Sequence, residues 1–315
     1  MSKPLESAPL PGATGLTTTA QAAAEKHSTV SGSRWKARGH KPVSPKQNHA
    51  WVHVVLCIGG VFMVFPFVWQ LIMSLMTNFE IQSVPPTFWP AEPQWGNYAE
   101  VFEKIPFLRQ FGVSILITVL RTVGQLILCS MAGYAFARMH FTGRGLLLGI
   151  VLSILMVPSQ VYLLPQYEII MGLNLLETPW GIVLPGIFSA FGTFLMRQFF
   201  IGVPKELEES ARLDGANPFQ IFWKIMLPLS KPALSAVAIT TVLWSWNDLL
   251  WPLIVTTQDA SMPLSVGIAT FAGRTATDYS VMMAASVMAV APVLILFILL
   301  QRRVIEGLAH TGLKG

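Results

Sequence analysis

Long apolar runs alternate with shorter polar stretches along most of this chain. A helix needs roughly 20 apolar residues to cross the hydrocarbon of a bilayer. Runs of that order occupy 51–76, 110–138, 146–166, 180–200, 233–256 and 281–301. Each predicts a membrane-spanning helix. Pro158 and Pro165 interrupt the third run and Pro185 the fourth. Such prolines are tolerated where neighbouring helices or water satisfy the carbonyls they free. Residues 1–50 break the pattern. They are rich in Ser, Thr, Ala, Gly and Lys, and they lack the early apolar core of a secretory signal. They predict a disordered basic tail ahead of a membrane domain over 51–315.

Composition sharpens this. The chain is 53% hydrophobic and only 12% charged, against about 25% charged in soluble domains. The fold class is therefore all-α integral membrane. Cys57 and Cys129 both lie in apolar runs and read as unpaired small hydrophobes. No Cys/His spacing suits a metal, and no nucleophile–base set or carboxylate pair falls at one membrane depth, so no catalytic residue is assigned. The net charge of +5 would suit nucleic acid, but its placement speaks instead to orientation. Of the 21 Lys and Arg residues, Lys104, Arg109 and Arg274 fall on one side and Arg121 within a run; the others share the opposite side. The positive-inside rule makes that side, with both termini, cytoplasmic. Trp89 and Trp95, in the outer loop 77–109, read as interfacial anchors.

One polar stretch, KELEESARLDGANPFQIFWKIMLPLSKP at 205–232, sits between two apolar runs. Pro204 suits a first helical turn, where its missing N–H costs nothing. Glu206, Glu208 and Glu209 follow near the positive end of the helix dipole. Asp214-Gly215 ends the helix, with Gly215 free to adopt a left-handed cap. Asn217 caps a second helix, with Pro218 at its first position and Gln220 closing a capping box. Phe219, Phe222, Trp223 and Met226 form an apolar stripe expected to rest on the membrane surface or on neighbouring spans. On the first helix, Leu207, Ser210, Ala211 and Asp214 share a face of mostly small side chains beside charged ones. That face suits a groove on another protein; a merely solvated loop explains the caps but not the face.

The fifth run holds TTVLWSWNDLLWPLIV at 240–255. At ~1.5 Å per residue from Ala233, Trp244 to Asp248 lie roughly 16–22 Å into the run. Asn247 and Asp248 are costly there unless they face a polar cavity. With Trp244, Trp246 and Trp251 they offer planar faces beside hydrogen-bonding groups, the chemistry a sugar requires. The alternative places the tryptophans in an aromatic belt and pairs Asn247 or Asp248 with another span. Arg121, deep in the second run, calls for a partner such as Asp248, or else for an anionic substrate such as a phosphorylated polyol.

EESARLDGANPFQIFWKIMLPLSKPAL resembles the EAA motif of permease subunits of ATP-binding-cassette importers. Glu209, Ser210 and Ala211 stand at EAA, with Ser for the central Ala, and Gly215 stands at the turn glycine. AGYAFAR at 132–138, WNDLLWPL at 246–253 and the ending QRRVIEGLAHTGLKG resemble the second permease subunit of carbohydrate-uptake systems. The likeness covers nearly all of the chain after residue 50. It implies the six-helix type I importer permease fold, with the EAA loop between helices four and five. It implies a coupling helix, carrying Glu206, Leu207, Glu209, Ser210, Ala211, Asp214, Gly215 and Ala216, that inserts into a cleft of a separate ATPase. It further implies a second homologous permease subunit forming a heterodimer, two ATPase subunits binding ATP and Mg, an extracytoplasmic solute-binding protein, and a multi-pass place in a bacterial cytoplasmic membrane. No cofactor and no nucleic acid are implied for this chain, and it has no GxxxxGKS or GxxxxGKT phosphate loop. The cargo implied is a mono-, di- or oligosaccharide, with glycerol 3-phosphate or another polyol derivative as the alternative. An ion-coupled carrier working alone would need intramembrane acid chains or inverted repeats, and only Asp248 qualifies. A membrane enzyme would need a reactive cluster.

Overall fold

A computed structural model describes residues 50–273 and 277–312. The predicted tail lies outside these residues except for Ala50, which heads a helix; Arg274 also lies outside. The chain divides into a unit ending at Gly60 and a unit from Val61 onward. Everything below concerns the second unit, apart from helix α1 (Ala50–Met73), which begins in the first.

After α1 come α2 (Gly96–Lys104), α3 (Phe107–Arg138), α4 (Arg144–Ser153), α5 (Leu163–Gly172), α6 (Pro179–Val183), α7 (Ala190–Gly202), α8 (Glu206–Leu213), α9 (Pro218–Ile221), α10 (Lys231–Trp246), α11 (Leu250–Val255), α12 (Leu264–Ala269) and α13 (Tyr279–Gly312). Among the described residues, Trp51–Met73 and Phe107–Arg138 are long and apolar enough to cross a bilayer unaided. Counting each bent helix pair as one crossing raises the number to as many as five, and the apolar helix Tyr279–Ile295 follows.

The bends correct the reading of uniform spans. The expected span 146–166 is two helical segments, Arg144–Met156 and Ser159–Gly172, set at 102°. Pro158 explains the break, because it disfavours helical backbone at the residue before it; Val157 is extended, with φ −94° and ψ 121°. The expected span 180–200 bends by 44° between Pro179–Gly186 and Ala190–Gly202. The expected span 233–256 stops at Trp246 and resumes at Leu250. Pro252 cannot donate to the carbonyl of Asp248, and that carbonyl instead accepts from Ser265 Oγ at 2.6 Å.

The breaks stay folded because side chains take up the freed carbonyls. Pro185 removes the N–H that would reach Gly181, and the Trp251 indole donates to that carbonyl at 3.1 Å. Arg121 donates to Ile182 O at 2.6 Å and Gln125 to Gly186 O at 2.7 Å. Gly186 leaves room for the arginine: a Cβ there would sit 2.8 Å from Arg121 Nε, so the guanidinium would have to shift.

Three apolar clusters fix these elements. Val101, Phe107, Leu264, Phe271 and Val281 join α2, α3, α12 and α13. Ile117, Ile170, Ile182, Trp251 and Val255 join α3, α5, α6 and α11. Tyr134, Met196, Phe200, Ala211, Ile221, Phe222, Met226 and Val237 join α3, α7, α10 and the 205–232 hairpin. Apolar side chains of α3, among them Leu116, Ile127 and Leu128, stay exposed. Lipid or protein neighbours suit such a surface; water does not.

Candidate functional site

The hairpin is built as its caps dictate. Pro204, expected in the first turn, falls before it, because α8 starts at Glu206 with Lys205 at its N-cap. Gly215 has φ +83°. Its N–H donates to Arg212 O at 3.0 Å, and the Ala216 N–H donates to Ala211 O at 2.9 Å. These two bonds are the Schellman pattern, and Ala211 and Ala216 supply its apolar contact. Asn217 and Gln220 form the expected capping box.

The faces differ from the periodic reading. Ala211 is not on the free face; it is turned inward with Glu208, at 7% and 5% exposure. Glu206, Leu207, Glu209, Ser210, Asp214 and Gly215 remain exposed, and Ala216 is half-buried. Leu213, which the sequence reading passed over, is 89% exposed at the capped C-terminal end of this helix. The apolar stripe after Asn217 also splits. Phe222 and Met226 are buried while Phe219 and Trp223 are exposed. A π turn follows over Phe222–Met226, where the Leu227 N–H reaches back five residues to Phe222 O.

Sequence reasoning also missed the group that holds α8 in place. Arg138 Nε and Glu208 Oε1 lie 3.1 Å apart, both side chains nearly inaccessible. They are close enough to pair as ions but lie off the line of a good hydrogen bond. The same guanidinium donates to Phe200 O at 2.6 Å and to Val203 O. The signal was present in AGYAFAR, whose arginine ends a long apolar helix.

The pathway candidates do not share one surface. Arg121 Nη1 donates to Asp248 at 2.8 Å, the partner that charge alone suggested. Trp251 is buried at 5% exposure, its indole committed to Gly181 O. Trp246 is half-buried; its indole donates to Ala289 O at 3.2 Å, and its ring lines an apolar cavity of about 450 Å³ with Phe111, Thr118 and Pro292. Only Trp244, 60% exposed, and Asn247 face outward. Thr118 with Ser245, and Gln125 with Thr241, extend the Arg121–Asp248 contact into a polar seam between α3 and α10.

Comparison with known proteins decides the family. Residues 125–308 match the family described as binding-protein-dependent transport system inner membrane component. The chain belongs to that family. This inner membrane component is 36% identical over 268 residues to the arabinooligosaccharides transport system permease protein AraQ of Halalkalibacterium halodurans, covering 83% of this chain and 96% of the relative. It is 33% identical to the sn-glycerol-3-phosphate transport system permease protein UgpE of Yersinia pestis, covering 82% and 95%. Its fold matches a chain of a bacterial ABC transporter involved in the import of the acidic polysaccharide alginate, with TM-score 0.69, 24% identity, and coverage of 80% and 95%. The inner membrane component is thus a transport protein with an importer permease fold, and its role is passage of solute rather than catalysis.

Proposed function

We propose that this chain is a transmembrane permease subunit of an ATP-binding-cassette importer for a neutral carbohydrate. A separate ATPase drives it by docking on α8. The observation that carries this reading is α8 itself: a short helix capped at its C-terminal end, buried on one side through Glu208 and Ala211, presenting Leu207, Leu213 and four charged or polar neighbours, Glu206, Glu209, Ser210 and Arg212, outward. A large exposed leucine on a rigid polar helix suits a cleft on a partner. Glu206, Leu207, Glu209, Ser210, Leu213, Asp214 and Gly215 form the docking face, with Ala211 and Ala216 beneath it.

In this reading six crossings place both termini and the hairpin in the cytoplasm of a bacterium, with residues 1–50 as a cytoplasmic tail and 51–315 as the membrane domain. A second permease subunit completes a heterodimer. Two ATPase subunits hold ATP and Mg, and an extracytoplasmic binding protein delivers the solute. Trp244 and Asn247 remain the pathway residues of this subunit.

Charge favours a neutral sugar over glycerol 3-phosphate. The buried Arg121 is already neutralised by Asp248 and its second nitrogen is spent on Ile182 O, so it has no free charge to offer a phosphate. The test is co-expression with the neighbouring ATPase, second permease and binding protein, purification in mild detergent, and uptake by reconstituted vesicles. Co-purification of the ATPase, and ATP-dependent uptake of a sugar but not of glycerol 3-phosphate, is expected. Uptake by this chain alone, or a complex without an ATPase, would refute the proposal.

A further inference from the structure

We infer that Arg138 and Glu208 are positioning residues that bind α8 to α3 and α7, so that these helices move as one body when the ATPase moves α8; this rests on the docking role proposed above. The hairpin is joined covalently to α10, and the chain turns by 76° between Pro218–Leu229 and Lys231–Trp246. A push delivered along the chain toward α10 would therefore be spent at that corner. The Arg138–Glu208 contact supplies a polar route to α3 and α7, beside the apolar packing of Ala211 and Phe222 with Tyr134 and Phe200.

Three helix ends meet at this one pair. Arg138 closes the C-terminus of α3, and its guanidinium takes the Phe200 and Val203 carbonyls at the C-terminus of α7. Glu208 stands in the first turn of α8. A cation at two negative helix ends and an anion at a positive one complement all three dipoles. Both side chains are buried, at 7% and 6% exposure, so Glu208 is not available to a docking partner as its exposed neighbours Glu206 and Glu209 are. Arg212, 3.6 Å from Glu208 on the same helix, covers the pair from outside. Tyr134 and Phe200 pack edge to face beside it, with ring centroids 5.7 Å apart. A buried ion pair made by one charge from each of two separate elements fixes their relative position, because moving either one strands the other.

The test uses the full complex in lipid nanodiscs. Nitroxides are placed at Met139→Cys, on the cap of α3, and at Lys205→Cys, on the cap of α8, with Cys57→Ser removing the exposed thiol. Pulsed electron paramagnetic resonance then gives their separation without nucleotide and with ATP trapped by vanadate. In the wild-type background a single narrow distance, unchanged by trapping, is expected. Glu208→Gln and Arg138→Met should broaden it and lower the stimulation of ATP hydrolysis by the binding protein roughly 10-fold. A wild-type separation that shifts on trapping by about one helical turn, ~5 Å, would overturn the inference, and needs no variant to fold. An assembled Glu208→Gln complex with wild-type distance and stimulation would overturn it equally. An ATPase that does not co-purify is a different result: it removes the docking role itself.

Discussion

Removing the carboxylate of Asp248 exposes the energetics of the buried seam. Arg121 and Asp248 meet at 2.8 Å, with side chains 9% and 23% accessible. At an effective dielectric of about 20, charges ~4 Å apart interact by about 4 kcal/mol, and breaking a buried pair by deleting one partner costs about 3–5 kcal/mol. Asp248→Leu should therefore destabilise the protein by about 3–4 kcal/mol, since Arg121 keeps only the Ile182 carbonyl. Arg121→Leu should cost about as much: it strands Asp248 and also leaves that carbonyl bare. The double variant removes both charges and should lose only about 1–3 kcal/mol, the cost of the unpaired carbonyl. Unfolding in mixed detergent and SDS micelles, followed by tryptophan fluorescence for all four proteins, gives the coupling directly. A double variant whose loss equals the sum of the single losses would refute the reasoning, because the two charges would then be independent.

Three further outcomes follow from named contacts. At Gly215 a Cβ meets nothing within 4 Å, so substitutions should cost only backbone strain of about 1–2 kcal/mol. Asn should retain more ATPase docking than Ala, and Ala more than Val, measured by pull-down at equal membrane expression. Trp251→Phe should lower stability by about 1–3 kcal/mol by leaving Gly181 O unpaired; in a Pro185→Ala background, which restores a backbone donor, the same change should cost measurably less. Burial pushes the Glu177 carboxyl up, but hydrogen bonds from Ser261 and Thr257 outweigh that and hold it below the usual carboxylate range. A lowered native pKa gives stability that is full above the unfolded value near 4.3 and is lost as pH falls through the native one. Glu177→Gln should therefore flatten the acid limb of a melting-temperature profile, leaving the neutral limb lower than wild type.

What the sequence made legible was local. Gly215, Asn217, Pro218 and Gln220 act within one turn of themselves, and each takes the conformation its chemistry allows. The pairing of Arg121 with Asp248 was also reachable, because two lone charges in apolar runs have few alternatives. What stayed hidden depends on partners far along the chain. Ala211 is small, and nothing in its spacing tells a docking face from a packed one; Tyr134, Phe200 and Ile221 decide that. Trp251 read as a sugar platform because the carbonyl it satisfies is created by Pro185, far upstream. Phe222 and Met226 are buried in the cluster with Tyr134 and Phe200 while Phe219 and Trp223 are not, a division that their shared stripe does not reveal. Arg138 looked like an orientation signal, since the helix that supplies Glu208 comes much later in the sequence.

The bend that follows Pro185 carries a consequence for biogenesis. Its carbonyls are satisfied by Arg121 and Gln125, which precede it, and by Trp251, which follows it. A nascent chain released into lipid as far as residue 200 would hold the Gly181 carbonyl bare until some fifty more residues had been made, and hydrocarbon offers no substitute donor. The segment 179–202 should therefore linger beside the insertion machinery and leave it together with residues 231–255, so that this pair enters the bilayer as one assembled unit rather than helix by helix.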